Sequence, residues 1–124
     1  MILVIGGAFQ GKLDYVEAAY PGRSISRCSL DSPEIDLTAD VIDSLHLLAL
    51  AQIRAGINTQ DYLEERLEAL QDKILIADDI SSGVVPIDAE MRQWREVLGR
   101  SLAMLSRHSD EVVRLFCGIA TRLK

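Results

Sequence analysis

Gly6-Gly7-Ala8-Phe9-Gln10-Gly11-Lys12 is the stretch of this sequence best equipped for chemistry. It fits the pattern G-x-x-x-x-G-K-[ST] at Gly6, Gly11 and Lys12 and departs from it at Leu13. Such a loop holds phosphate because glycines let the backbone curl with several N–H groups pointing inward, while the following helix adds the positive end of its dipole. Gly6, Gly7, Ala8, Phe9, Gln10, Gly11, Lys12 and Leu13 would form the cradle, with Lys12 reaching the terminal phosphates. The Ser or Thr that normally follows the lysine places its hydroxyl on the Mg²⁺ bridging those phosphates, and a leucine cannot ligate a metal. The loop therefore speaks for phosphate binding more strongly than for phosphoryl transfer. The bland alternative is a glycine-rich turn without a ligand; the apolar run before it and the helix start after it weigh against that.

A second grouping, Asp78-Asp79, follows the apolar run Ile74-Leu75-Ile76-Ala77 and could bind Mg²⁺ or position a substrate hydroxyl, although acidic loops are also ordinary surface. His46 lies among leucines, where a packed helical residue is the commoner outcome. His108 closes a long helical pattern, where a cation suits the negative end of the dipole. Cys28 and Cys117 are far apart and carry no metal-ligand spacing, so both read as packing residues. No Cys/His cluster or nucleophile–base pairing supports a zinc enzyme or a hydrolase.

The elements that must position these groups alternate. Residues 1–5 are short, apolar and β-branched, as in a buried strand, and Lys12 opens a helix running to about Ala19. Tyr20-Pro21-Gly22 stops it, and residues 23–27 alternate as a short strand would. From Val41 onward, Ile42, Leu45, Leu48, Ala49 and Ile53 fall on a helical face, so the pattern favours a helix over about 38–55, capped by Asp36 or Thr38, over a strand entering it. A helix over 59–71, a strand over 73–77 and an acidic, flexible loop to Pro86 follow. Asp88 then caps a helix to about Arg107 with Met91, Trp94, Leu98, Leu102 and Leu105 inward. A last strand over 111–117 leads into a polar tail. Strands alternating with helices imply a parallel sheet covered on both faces, with ligands at the carboxyl ends of the strands. The 6–12 loop and Asp78-Asp79 would share that edge.

A chain of 124 residues with 48% hydrophobic content is expected to form one domain over residues 1–124. Its net charge is -6, with 6 Lys+Arg against 14 Asp+Glu in residues 1–87 and 7 against 5 in residues 88–124. Neither part carries the basic face a nucleic acid would need. No apolar run approaches the ~20 residues of a membrane span, and no basic leader precedes residue 1–5. The expectation is a soluble, cytoplasmic, reduced protein with no membrane and no nucleic-acid partner.

These residues resemble a known family. Met1-Ile2-Leu3-Val4-Ile5-Gly6-Gly7-Ala8 with Gly11-Lys12 is similar to the opening M-I-L-V-T-G-G-A-R-S-G-K-S of the bifunctional adenosylcobinamide kinase / adenosylcobinamide-phosphate guanylyltransferases of cobalamin biosynthesis. Ile76-Ala77-Asp78-Asp79-Ile80-Ser81-Ser82-Gly83-Val84-Val85-Pro86 resembles their V-S-N-E-V-G-x-G-V-V-P, and residues 98–124 follow their C-terminal helix, strand and tail. The likeness covers a little over half the chain. It implies an α/β, P-loop NTPase-like (RecA-like) three-layer fold with a small, mainly parallel sheet, ATP or GTP with Mg²⁺, cobinamide as acceptor, and a homo-oligomer. Val41-Ile42-Asp43-Ser44-Leu45-His46-Leu47-Leu48 is similar to the family's V-D-C-L-T-L-W-L, whose Asp ends a strand and assists Mg²⁺; on the helical reading Asp43 is merely a polar residue on a helix.

On this resemblance Lys12 and Asp79 are the candidate catalytic residues, and Asp43 and Asp78 the candidate metal ligands. The departures are Leu13, the Asp78-Asp79 pair in place of Asn-Glu, and a shortened stretch between Tyr20 and Asp40 that contains no histidine. The family's guanylylated histidine lies there, and His46 does not replace it. The expected function is a cobinamide-kinase-like, ATP- or GTP-binding protein without guanylyl transfer. The alternative is a degenerate, non-enzymatic binding or assembly protein that keeps the fold.

Overall fold

In the computed structural model, which describes residues 1–80 and 87–124, the chain forms β1 (Ile2–Gly6), α1 (Lys12–Ala19), β2 (Ile25–Arg27), β3 (Val41–Asp43), α2 (Leu45–Arg54) and α3 (Thr59–Glu64). It continues through α4 (Leu67–Leu70), β4 (Ile74–Asp78), α5 (Ala89–His108), β5 (Glu111–Phe116) and β6 (Ile119–Arg122). The strands make one sheet ordered β2-β3-β4-β1-β5-β6. Every pairing is parallel except that of β5 with β6. The short apolar runs at 2–6 and 74–78 are strands because both their faces are covered, as a parallel sheet requires.

Alternation along the strands divides the core in two. Leu3, Ile42, Leu75, Ala77 and Val112 face one way, beneath Leu45 and Leu48 of α2, Leu63, Leu70, Met104 and Leu105. Val4, Val41, Ile74, Ile76, Val113 and Leu115 face the other way, against Val16 of α1 with Leu13 and Tyr15 packed beside it. The result is a sheet between helical layers. Each fully buried leucine contributes roughly 1.5–3 kcal/mol. Gly6 pairs with Asp78 on one side and Leu115 on the other. A Cβ there would stand 2.5 Å from the Leu115 carbonyl oxygen, so only glycine allows β5 to approach at this point.

The helix expected over 38–55 is instead a strand, a turn and a shorter helix. Val41 and Ile42 are buried and pair with Ile74 and Leu75 of β4, while Val41, Ile42 and Asp43 pair with Ile25, Ser26 and Arg27 of β2. Sheet pairing outweighs the helical period at this position. Ser44, at φ 60°, turns the chain into α2, which ends at Arg54 with Ala55 as its C-cap before Gly56 at φ 74°. The expected caps Asp36 and Thr38 bond each other instead, Asp36 accepting from the Thr38 N–H and hydroxyl.

The helix expected over 59–71 begins as foreseen, with the Asn58 side chain accepting from the Asp61 N–H, but breaks between Glu64 and Leu67. Arg66 sits at the break, its guanidinium 3.5 Å from the Tyr62 ring centroid and donating to the Tyr62 carbonyl at 2.9 Å. The long helix α5 is capped by Asp88, which accepts from the Glu90 and Met91 N–H groups. Leu98, Ser101, Met104 and Leu105 are its buried residues, while Met91, Trp94 and Leu102 are half-buried. The expected polar tail forms β6, joined to β5 by Cys117 and Gly118, both at positive φ as a two-residue hairpin turn requires. Cys117 is exposed there and does not pack, unlike Cys28, whose buried thiol is pushed up to about 11 by burial and then by Asp43. The segment 81–86, including Gly83-Val84-Val85-Pro86, lies outside the described residues. None of the described helices is long and apolar enough to cross a membrane.

Candidate functional site

The parallel pairing of β1 with β4 brings their carboxyl ends level, Gly6 opposite Asp78. From Gly6 the chain loops to Gly11, which takes φ 86° at the N-cap of α1, a left-handed conformation suited to glycine. The first intrahelical bond of α1 runs from the Tyr15 N–H to the Gly11 carbonyl at 3.0 Å. The N–H groups of Lys12, Leu13 and Asp14 therefore have no intrahelical acceptor, and Gly11 has no side chain to cap them.

Lys12 folds back over this loop. Its Nζ donates to the Gly7 carbonyl at 2.7 Å and lies 2.7 Å from Asp78 Oδ1, with the residue only 8% exposed. The second carboxylate oxygen of Asp78 is 3.4 Å from His46 Nε2. His46 lies in the first turn of α2, and its Nδ1 accepts the Asp78 backbone N–H at 3.0 Å. Its backbone carbonyl accepts from Trp94 Nε1 at 2.7 Å, which ties α5 to this corner. Asp43 ends β3; its Oδ2 accepts from Arg27 Nε at 3.1 Å and its Oδ1 from the Ser44 N–H at 2.7 Å. Asp43 thus stands at a strand end, not on a helix face.

A hollow of about 450 Å³ opens over these groups, lined by Ala8, Phe9, Gln10, Gly11, Lys12, Leu13 and Asp14 of the loop and α1, and by Arg27, Asp43, Ser44, His46 and Asp78. Six of the eight expected cradle residues line it. Gly6 and Gly7 lie behind, Gly6 accepting the Asp79 N–H at 2.7 Å. Asp79 stands on the same edge as Asp78 and is not among the lining residues. Asp14, Arg27, Ser44 and His46 were not foreseen. The helical reading of 38–55 placed His46 on a leucine-rich face, whereas the short strand ending at Asp43 delivers it to the sheet edge. His108 is exposed at the far end of its helix.

For Mg²⁺ the donor chemistry fits. Mg²⁺ at a phosphate site takes one or two carboxylates and fills its remaining positions with water and phosphate oxygens. Asp43 and Asp78 open onto one hollow and supply such oxygens. Among the described residues no group of three His, Cys, Asp or Glu side chains forms a self-sufficient metal site.

Burial holds the His46 imidazole below its ordinary value of 6.5, outweighing the opposing pull of Asp78, and Lys12 adds to the lowering. The ring is therefore neutral at pH 7. In the unfolded chain it would take up a proton near 6.5, which the folded ring resists. Its contribution to stability is present above that pH and is lost as pH falls through it toward the lower folded value. The melting temperature should drop between pH 7.5 and 5.5, and His46→Gln should flatten that drop. Equal slopes in the two proteins would refute it.

A family model for cobinamide kinase / cobinamide phosphate guanyltransferase matches residues 34–123. That span includes Asp43, His46, Asp78 and Asp79 and begins after the 6–12 loop. No curated protein matches the chain.

Proposed function

The chain belongs to the cobinamide kinase / cobinamide phosphate guanyltransferase family, and from that premise we propose that it binds a nucleoside triphosphate in the 6–12 loop and passes the terminal phosphoryl group to a cobinamide-type alcohol. The observation that carries this reading is the position of the Lys12 ammonium, held over the loop by Gly7 and Asp78 beside the N–H groups that open α1 without an intrahelical acceptor. A strand, a glycine loop and a helix at the carboxyl edge of a parallel sheet also support a P-loop, RecA-like reading of the fold.

Loop N–H groups and Lys12 would bind the phosphates, and Lys12 would stabilise charge on the transferring group. The acceptor hydroxyl attacks the γ-phosphorus as the bond to the β–γ bridging oxygen breaks, and the nucleoside diphosphate leaves. When Lys12 turns to phosphate, the Asp78 carboxylate loses its cation. It is then available to join Asp43 as a metal ligand, while Asp79 would orient the acceptor hydroxyl and take its proton. Mg²⁺ held by Asp43 and Asp78 would neutralise phosphate charge.

Guanylyl transfer through a histidine is not part of this proposal. Such a transfer needs a ring nitrogen with a free lone pair. The Nδ1 lone pair of His46 already accepts the Asp78 N–H, which leaves the proton of the neutral ring on Nε2, facing the Asp78 carboxylate. We expect ATP or GTP to raise the melting temperature, cobinamide to be phosphorylated, and labelled GTP to leave no covalent adduct. An acid-labile adduct on His46 or His108 would overturn the last point. Absence of any triphosphate effect would overturn the proposal.

A further inference from the structure

We propose that Phe9 is the nucleobase-binding element of this site, its ring stacking on the base of the bound triphosphate; the inference rests on the phosphate-loop reading above. Phe9 lines the hollow, yet its side chain is fully exposed, at 104%. Its φ of 61° is a backbone conformation that a bulky residue rarely adopts. Strain of this kind persists only where surrounding structure enforces it, and here the enforcement is visible. The next residue, Gln10, accepts the Gly118 N–H through its carbonyl at 3.1 Å and the Cys117 N–H through its side-chain Oε1. Gly11 lies against Gly118 closely enough that a Cβ would meet its Cα at 3.7 Å. The hairpin turn between β5 and β6 thus pins the loop on the C-terminal side of Phe9 and fixes the direction in which its Cα–Cβ bond leaves the backbone.

Besides Phe9, the flat groups lining the hollow are the Arg27 guanidinium, which is paired with Asp43, and the His46 ring, which is largely buried beside Asp78. Lys12, Asp43 and Asp78 are charged, and Leu13 is half-buried against the core. A phosphate chain with its terminal group at the buried Lys12 would carry its nucleoside away from that residue, and Phe9 is the fully exposed ring on the loop. Every base has a π-face, so stacking adds affinity for nucleosides without choosing among them. The class of ligand implied is a nucleoside triphosphate rather than bare polyphosphate, with ATP and GTP bound about equally.

The test compares inorganic tripolyphosphate, ATP and GTP by calorimetry on the unmodified protein, Phe9→Ala and Phe9→Leu. Both variants keep a Cβ and so keep the backbone demand of the loop, and the exposed site should leave the melting temperature unchanged. Phe9→Ala should weaken ATP and GTP by roughly tenfold or more and leave tripolyphosphate unchanged, with Phe9→Leu between. Phe9→Trp should show indole emission quenched by ATP and not by tripolyphosphate. Unchanged ATP affinity in Phe9→Ala would overturn the stacking role alone, provided tripolyphosphate still binds. Equal weakening of tripolyphosphate would overturn it too, by assigning Phe9 to the loop backbone. Failure of the unmodified protein to bind either ligand would overturn the phosphate-loop reading and this inference together.

Discussion

Lys12→Ala is expected to weaken triphosphate binding by about 10- to 100-fold, because a charge-assisted contact to phosphate is worth roughly 1.5–3 kcal/mol. The variant also leaves the Asp78 carboxylate without its ammonium partner at 2.7 Å, beside the neutral His46 ring. That carboxylate would then repel the incoming phosphate. Ligand at 100 times its dissociation constant stabilises a protein by about 2.7 kcal/mol, on the order of 10 °C for a chain of this size. After a 100-fold loss the same concentration gives only about 0.4 kcal/mol, and the shift nearly vanishes. Lys12→Met, which keeps most of the stem, should behave like the alanine variant if charge is what matters. The measurement is the melting temperature of all three proteins with and without triphosphate. An undiminished shift in either variant would remove the phosphate-loop reading.

Much of the candidate site's geometry was legible in the sequence because its parts are local. The glycines, Lys12 and the strand before them are contiguous, and Asp78 directly follows an unmistakable buried strand, so their meeting on one edge followed from parallel pairing. What was hidden depends on distant partners. Val41, Ile42 and Asp43 carry a helical period shared with the true helix after them, and only β2 and β4 on either side make them a strand. With that strand missed, Asp43 was assigned a helix face and His46 an unremarkable place among leucines. The hairpin at Cys117-Gly118 was unreadable for a related reason. Its turn contains a cysteine at φ 50°, a residue with no turn preference, and its strand is exposed on both faces at the edge of the sheet. That edge nevertheless holds Gln10 and, through it, the shape of the 6–12 loop.

Leu13→Ser separates an active kinase from a protein that binds nucleotide without turnover. Leu13 occupies two environments at once, lining the hollow and packing against the core that includes Val4, Val16 and Ile76. Serine would place a hydroxyl where a metal ligand is otherwise missing, in a hollow that already holds Asp43 and Asp78. If it completes the ligand set, Mg²⁺-dependent triphosphate affinity should rise by about 10- to 100-fold. The same change removes apolar volume from a half-buried position, so it should cost stability, by less than the 2–5 kcal/mol typical of fully buried leucine truncations. Leu13→Ala provides the control, since it loses the same packing and gains no hydroxyl. The expected pattern is a lowered melting temperature in both variants and increased Mg²⁺ dependence in the serine variant alone. If the unmodified protein binds triphosphate only with Mg²⁺, then Asp43 and Asp78 suffice as ligands. Leu13 would then be a packing residue with no bearing on catalysis, and the case for weakened metal binding would fail.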